Sequence, residues 1–234
     1  MLNCSQIPFA LVSNAINTIK MKERVALIIG STGLIGSHTL QNLIQNDSFT
    51  QVISISRKPL KVNHKKLKEI IIDFDKLDTV ELNTPIDAAF CCLGTTMKKA
   101  GSKDAFYKVD FTYCINFGKL ALQNGVKSFQ IISSMGANAD SLFYYNQVKG
   151  KMENELANMN FPTLNILQPS LLLGERSETR VGEDFGKIMN QVFSPFIPKK
   201  YKGIEGRKVA NFMMQKAMDT TLSGVNRFTS DQMQ

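Results

Sequence analysis

The sequence predicts a doubly wound, parallel α/β sheet of the Rossmann type. Two observations carry that reading. Short apolar runs alternate with helical patterns from Val25 to about Leu167, and the first run ends in three glycines spaced three apart, Gly30, Gly33 and Gly36. The chain has 234 residues, 43% apolar and 21% charged, which is enough for one core and excludes collagen-like, coiled-coil and disordered classes.

Val25-Ala26-Leu27-Ile28-Ile29 is a continuous apolar run and reads as a strand buried on both faces. Residues 34–46 follow as a helix, with Leu40, Leu43 and Ile44 at helical spacing. Further strands are predicted at Val52–Ser56, Ile70–Asp73, Ala88–Cys92, Ser128–Ser133 and Thr163–Leu167. Helices are predicted at 104–123, closed by Asn124-Gly125, and at 141–159. After residue 170 the strand rhythm fades, and residues 170–234 read as a small substrate-side lobe of a single domain, 21–234. Residues 1–20 read as an extension, dispensable to the fold, ahead of Met21. Their apolar patch, Phe9-Ala10-Leu11-Val12, is too short for a secretory signal core, and no basic residue precedes it. No apolar run reaches the ~20 residues of a membrane span. A cytoplasmic chain is expected.

The loop Gly30-Ser31-Thr32-Gly33-Leu34-Ile35-Gly36 joins the first strand to the first helix. Gly30 permits the tight turn, Gly33 lets backbone N–H groups approach a pyrophosphate, and Gly36 lets the helix pack close to the strand. The helix N-terminus adds a positive dipole. Thr32, Gly33, Leu34 and Ile35 complete the expected phosphate cradle. A lone glycine triplet could be a plain turn; the strand–turn–helix context makes it a dinucleotide signal.

The net charge of +8 comes from two stretches, +6 over residues 57–68 and +4 over 198–208, against −2 for the rest of the chain. Lys-rich loops are ordinarily solvated faces, and these lack the aromatic interleaving of a nucleic-acid surface, so no nucleic-acid partner is expected. The first stretch has a sharper reading. An acid after the second strand would hold the ribose 2′-hydroxyl of NAD. Here Arg57 and Lys58 stand there instead, which favours NADP(H) over NAD(H), unless the two cations merely cap a surface strand.

Asp73, with Phe74 beside it, ends the third strand. It could receive an adenine amino group or simply cap the next helix. Leu93, Gly94 and Thr95 follow the fourth strand, where backbone can pass close to a cofactor. Cys91 and Cys92 read as small core side chains rather than catalytic thiols. His38 and His64 have no partner at metal-ligand spacing, and no cysteine lies in a CxxC pair, so no metal site is expected.

Tyr145 and Lys149 are four residues apart in a predicted helix and so share a face. An ammonium beside a phenol favours the phenolate, which suits a proton donor to a carbonyl oxygen. Ser133 and Ser134 end the fifth strand, at the edge of the sheet where ligands bind in this fold. A Tyr–x3–Lys pair alone is a common accident; with the serine pair and the glycine loop it becomes a constellation.

On these marks residues 24–225 resemble the short-chain dehydrogenases/reductases. The phrases Cys91-Cys92-Leu93-Gly94-Thr95-Thr96, Lys99-Ala100-Gly101-Ser102, Val109-Asp110, Gln147-Val148-Lys149-Gly150 and Arg176-Ser177-Glu178-Thr179-Arg180 are similar to the compact, atypical subgroup typified by the Tat-interacting-protein oxidoreductase. The resemblance implies that Ser134, with Ser133 as alternative, orients a substrate oxygen. It implies that Tyr145 is the general acid/base and that Lys149 holds the nicotinamide ribose. Two departures stand out. Asp110 replaces the asparagine frequent in the superfamily, and Gln168-Pro169-Ser170 replaces the subgroup's Arg-Pro-Gly. The implied activity is NADPH-dependent reduction of a small carbonyl compound, or oxidation of the corresponding alcohol. The alternative is a non-catalytic NADP(H)-binding redox sensor acting through protein partners.

Overall fold

A computed structural model describes residues 24–173, 198 and 201–234. Seven parallel strands form one sheet in the order β3-β2-β1-β4-β5-β6-β9. Strand β1 is Arg24–Ile29, followed by helix α1 (Leu34–Gln45), β2 (Phe49–Ser56) and β3 (Leu67–Ile71). Then come β4 (Ala88–Cys91), the short helix α2 (Met97–Ala100) and α3 (Lys103–Tyr107). A π-helical turn, Lys108–Thr112, leads into α4 (Tyr113–Gln123) and β5 (Ser128–Ile132). Helix α5 (Tyr144–Asn158) and β6 (Thr163–Gln168) follow. The chain closes with β7 (Leu172–Leu173), β8 (Ile204–Glu205), α6 (Gly206–Met218) and β9 (Gly224–Thr229).

The apolar run of β1 works because its side chains alternate between two cores. Val25, Leu27 and Ile29 face the side covered by α4 and α5, with Tyr113, Phe117, Leu120, Met152 and Leu156. Ala26 and Ile28 face the side covered by α1 and α6, with Leu40, Leu43, Val209 and Met213. The strand order reverses between β1 and β4, and in such sheets the ligand crevice opens at the carboxyl ends of the strands on either side of the reversal. That places the glycine loop and residues 92–96 together.

Three sequence expectations change. The third strand runs Leu67–Ile71 rather than Ile70–Asp73, because this edge strand alternates half-buried and exposed residues and has no apolar run to mark it. The helix expected over 104–123 is interrupted by the π-helical turn. In the stretch expected as a substrate-side lobe, the described residues 206–229 join the main layers: α6 packs on α1, and β9 extends the sheet beside β6 over six residues. Val209, Ala210, Met213 and Met214 give α6 its buried stripe. Residues 1–20 and 174–197 lie outside the described residues, as do Lys199 and Lys200.

Candidate active site

The glycine loop is shaped by backbone contacts that admit no side chain at two positions. A Cβ on Gly30, whose φ is +79°, would lie 2.6 Å from the Cys92 carbonyl carbon. One on Gly36 would lie 2.1 Å from the Gly30 carbonyl oxygen. Gly33 is exposed and is the N-cap of α1, with no side-chain cap and no acid in the first turn, so the first N–H groups of the helix have no side-chain acceptor. Thr32 is exposed beside it, whereas Ile35 is buried in the core, leaving only its backbone for a ligand. Leu34 is half-buried and packs under Gly206 of α6. Ser31 turns inward, its hydroxyl 2.8 Å from that of Ser54 on β2.

Arg57 and Lys58 extend from the carboxyl end of β2 and are exposed. The Arg57 guanidinium lies over the Phe74 ring at 5.3 Å from its centroid. Phe74 itself is buried edge-to-face against Tyr113, so its ring is a support for Arg57 and a core residue. Asp73 takes the capping role: its carboxylate accepts the Asp75 N–H at 3.1 Å and starts the 3₁₀ turn Phe74–Thr79. Tyr113 and Lys108 both donate to Asp75, which holds that carboxyl below its usual range, chiefly through Lys108.

The candidate constellation is built on β5, α5 and the π-helical turn. Lys149 is buried, and its Nζ stands 2.8 Å from Asp110 Oδ1 and donates to the Ile132 carbonyl at 3.3 Å. Burial opposes its charge, but the Asp110 carboxylate, with lesser help from Tyr145 and Cys114, overrides that and holds the ammonium above its usual range. The other Asp110 oxygen accepts the Thr95 N–H at 2.9 Å. Tyr145 is half-buried, one turn before Lys149, with its ring against Phe106. Gly94 lies on top of the pair: a Cβ there would be 3.6 Å from Asp110 Oδ1 and 3.9 Å from Lys149 Nζ. Leu93 is buried just before it, and Thr95 is half-buried.

The two serines have separate fates. Ser133 donates to Glu153 at 2.5 Å, and Glu153, buried on α5, also accepts from Gln168 and Arg227. The Ser134 hydroxyl is buried and makes no hydrogen bond among the described residues. Tyr144 is engaged elsewhere, donating to the Lys103 carbonyl. Burial raises the Cys92 thiol to about 12, and a hydrogen bond with Cys91, then burial, hold the Cys114 thiol well above its usual range, so neither is a thiolate nucleophile at neutral pH. Among the described residues no cluster of His, Cys, Asp or Glu could hold a metal ion, and no helix is long and apolar enough to cross a membrane.

Two features escaped the sequence reading. Glu153 is an acid on the buried stripe of α5, between Val148, Met152 and Leu156, and that position was the available signal. Gln168, noticed only as a departure, is a Glu153 partner, joined there by Arg227 from the unpredicted strand β9.

The residues fit a dinucleotide: a cradle closed to side chains at Gly30 and Gly36, a helix N-terminus without a side-chain cap, and the unpartnered Ser134 hydroxyl. The NAD(P)H-binding family model matches residues 30–219. The chain belongs to that NAD(P)H-binding family. Protein HTATIP2 of Rattus norvegicus is 36% identical over 168 residues, covering 70% of this chain and 69% of that protein, which makes this chain an atypical short-chain dehydrogenase/reductase of the HTATIP2 type. Protein FMP52, mitochondrial, of Debaryomyces hansenii is 33% identical over 204 residues, 85% of this chain and 90% of that protein. The Bordetella bronchiseptica enzyme WbmG in complex with NAD superposes with a TM-score of 0.68 at 14% identity, over 92% of this chain and 75% of that one, and shows the shared fold. The family members named FMP52 are mitochondrial proteins, which overturns the cytoplasmic expectation. That expectation drew only on a missing secretory signal and a missing span, and neither separates cytosol from mitochondrion.

Proposed function

We propose that the chain is an NADPH-dependent reductase of a small carbonyl compound. The observation that carries this reading is the arrangement of Tyr145 and Lys149, one turn apart on α5, with Lys149 tied to Ile132 two residues before the unpartnered Ser134 hydroxyl. Ser134 donates a hydrogen bond to the substrate oxygen and orients it. Tyr145 gives its phenolic proton to that oxygen as the carbonyl becomes an alcohol, and takes it back in the reverse direction. Lys149 binds the nicotinamide ribose and favours the phenolate that Tyr145 leaves. Arg57 and Lys58 hold the 2′-phosphate; the Phe74 ring pre-orders the Arg57 fork. When bound, NADPH supplies the hydride.

Oxidation of NADPH by a panel of aldehydes and ketones tests this. Turnover by wild type with a loss of about 10²–10⁴-fold in Tyr145→Phe, at unchanged NADPH affinity, is the expected result. Equal rates in the two proteins would refute the mechanism. A second reading, an NADP(H)-binding sensor that acts through protein partners, draws on Leu142 and Phe143. These apolar side chains precede the catalytic helix and are exposed, Leu142 fully. NADPH binding with no turnover across the panel would favour it.

A further inference from the structure

We propose that Asp110 is a positioning residue that joins Lys149 and the β4 loop into one dinucleotide-binding unit. The proposal rests on the reading of Lys149 as the residue that meets the nicotinamide ribose.

Asp110 is fully buried, and the π-helical turn at 108–112 carries it there. Its two oxygens serve two different elements. Oδ1 meets the Lys149 ammonium at 2.8 Å, and Oδ2 accepts the Thr95 N–H at 2.9 Å. An ammonium has three N–H donors. Among the described residues the Ile132 carbonyl accepts one of them and Asp110 Oδ1 stands at ion-pair distance, which leaves at least one for a ligand. Gly94 brings only backbone to the same place, so no side chain from the loop comes between the pair and the crevice.

The groups that face Lys149 are Asp110 from the π-helical turn, Tyr145 from its own helix and Cys114 from α4. The Cys114 thiol stays neutral, through its bond to Cys91 and its burial, so Asp110 supplies the compensating charge. Asparagine at 110 would be nearly isosteric but could accept from only one of the two donors, because its amide side would face the other. The Lys149 ammonium would then be buried without a countercharge. Buried lysines in that condition lose their proton readily, some as low as about pH 5–6. Loss of the proton would remove the charge and a donor facing the ribose.

The test is calorimetric titration of the full chain with NADPH from pH 6.5 to 10, for wild type and Asp110→Asn. Wild type should bind with little pH dependence from this site. Asp110→Asn should bind at least about 10-fold more weakly, with the ratio to wild type widening as pH rises. A ratio that stays constant with pH, or equal affinity, overturns the proposal, since a merely structural role would not introduce a titration. If Asp110→Asn fails to fold, Asp110→Asn/Lys149→Met decides: folding should return once the uncompensated ammonium is gone, and continued unfolding overturns the proposal. Wild type that binds no NADPH defeats the underlying reading and this one with it; wild type that binds, beside an indifferent Asp110→Asn, defeats this one alone.

Discussion

Gly33→Ala and Gly36→Ala separate what the glycine loop does for the fold from what it does for a ligand. A Cβ on Gly36 would lie 2.1 Å from the Gly30 carbonyl oxygen and 2.8 Å from its carbon, both backbone atoms. Ordinary contact begins at 3.4 Å, so α1 must move off the β1 turn by about 1.3 Å. Overpacking costs about 1–3 kcal/mol, while alanine returns about 0.5–1 kcal/mol in helix propensity. Backbone cannot swing aside as a side chain would, so the upper part of that range applies and the net cost is about 2 kcal/mol. In a domain of this length each kcal/mol moves Tm by about 2–4 °C, so ligand-free Gly36→Ala should melt about 4–8 °C lower. A Cβ on Gly33 would meet the same oxygen at 3.3 Å, and the residue is exposed. Alanine is the poorer N-cap there, at a cost of about 1 kcal/mol or less, and Tm should stay within about 3 °C of wild type. Its methyl group would stand where backbone should approach a pyrophosphate, so NADPH affinity should fall by about 10-fold or more. Thermal melts and NADPH titrations read both effects. Unchanged melting in Gly36→Ala would refute the packing argument, and unchanged NADPH affinity in Gly33→Ala would refute the phosphate argument.

Arg57→Ala should weaken NADPH binding by about 10–100-fold and leave NADH binding as it was, as titration of both cofactors would reveal. Glu153→Gln removes the carboxylate shared by Ser133, Gln168 and Arg227; with Arg227 discounted as part-exposed, about 1.5–3 kcal/mol and roughly 3–12 °C of Tm should go. Lys149 is held above its usual range, so its pairing with Asp110 contributes in full below the unfolded lysine value of about 10.4 and fades as pH rises through the folded value. The Tm difference between wild type and Asp110→Asn/Lys149→Met should therefore be flat from about pH 6 to 10 and shrink above it; a difference that changes near neutrality would contradict the assignment.

The strands most legible in the sequence are those whose side chains are buried on both faces. Val25 to Ile29 and Ala88 to Cys91 read as continuous apolar runs because every alternate residue meets one core or the other. Strand β9 carries no such mark. It has one neighbour among the described residues, half of its residues are exposed, and only pairing with β6 makes Gly224–Thr229 a strand. The glycine loop was legible for a related reason: its spacing is set within a few residues of chain, between a strand end and the helix it opens, although the backbone of Cys92 also presses on Gly30.

The site divides along the same line. The family, the glycine cradle, the Tyr145–Lys149 spacing and the missing acid at Arg57 were legible without the fold, since each is a local pattern. The tertiary structure gives Ser133 and Ser134 different surroundings: Glu153, from another element, captures the Ser133 hydroxyl, and the Ser134 hydroxyl has no partner among the described residues. It also decided that Asp73 caps a turn, and that Asp110, 39 residues from Lys149 in sequence, is its countercharge. Local patterns follow from helix and strand periodicity, which any short segment carries. A buried charge pair depends on which elements the sheet order brings together, and that is a property of the whole chain.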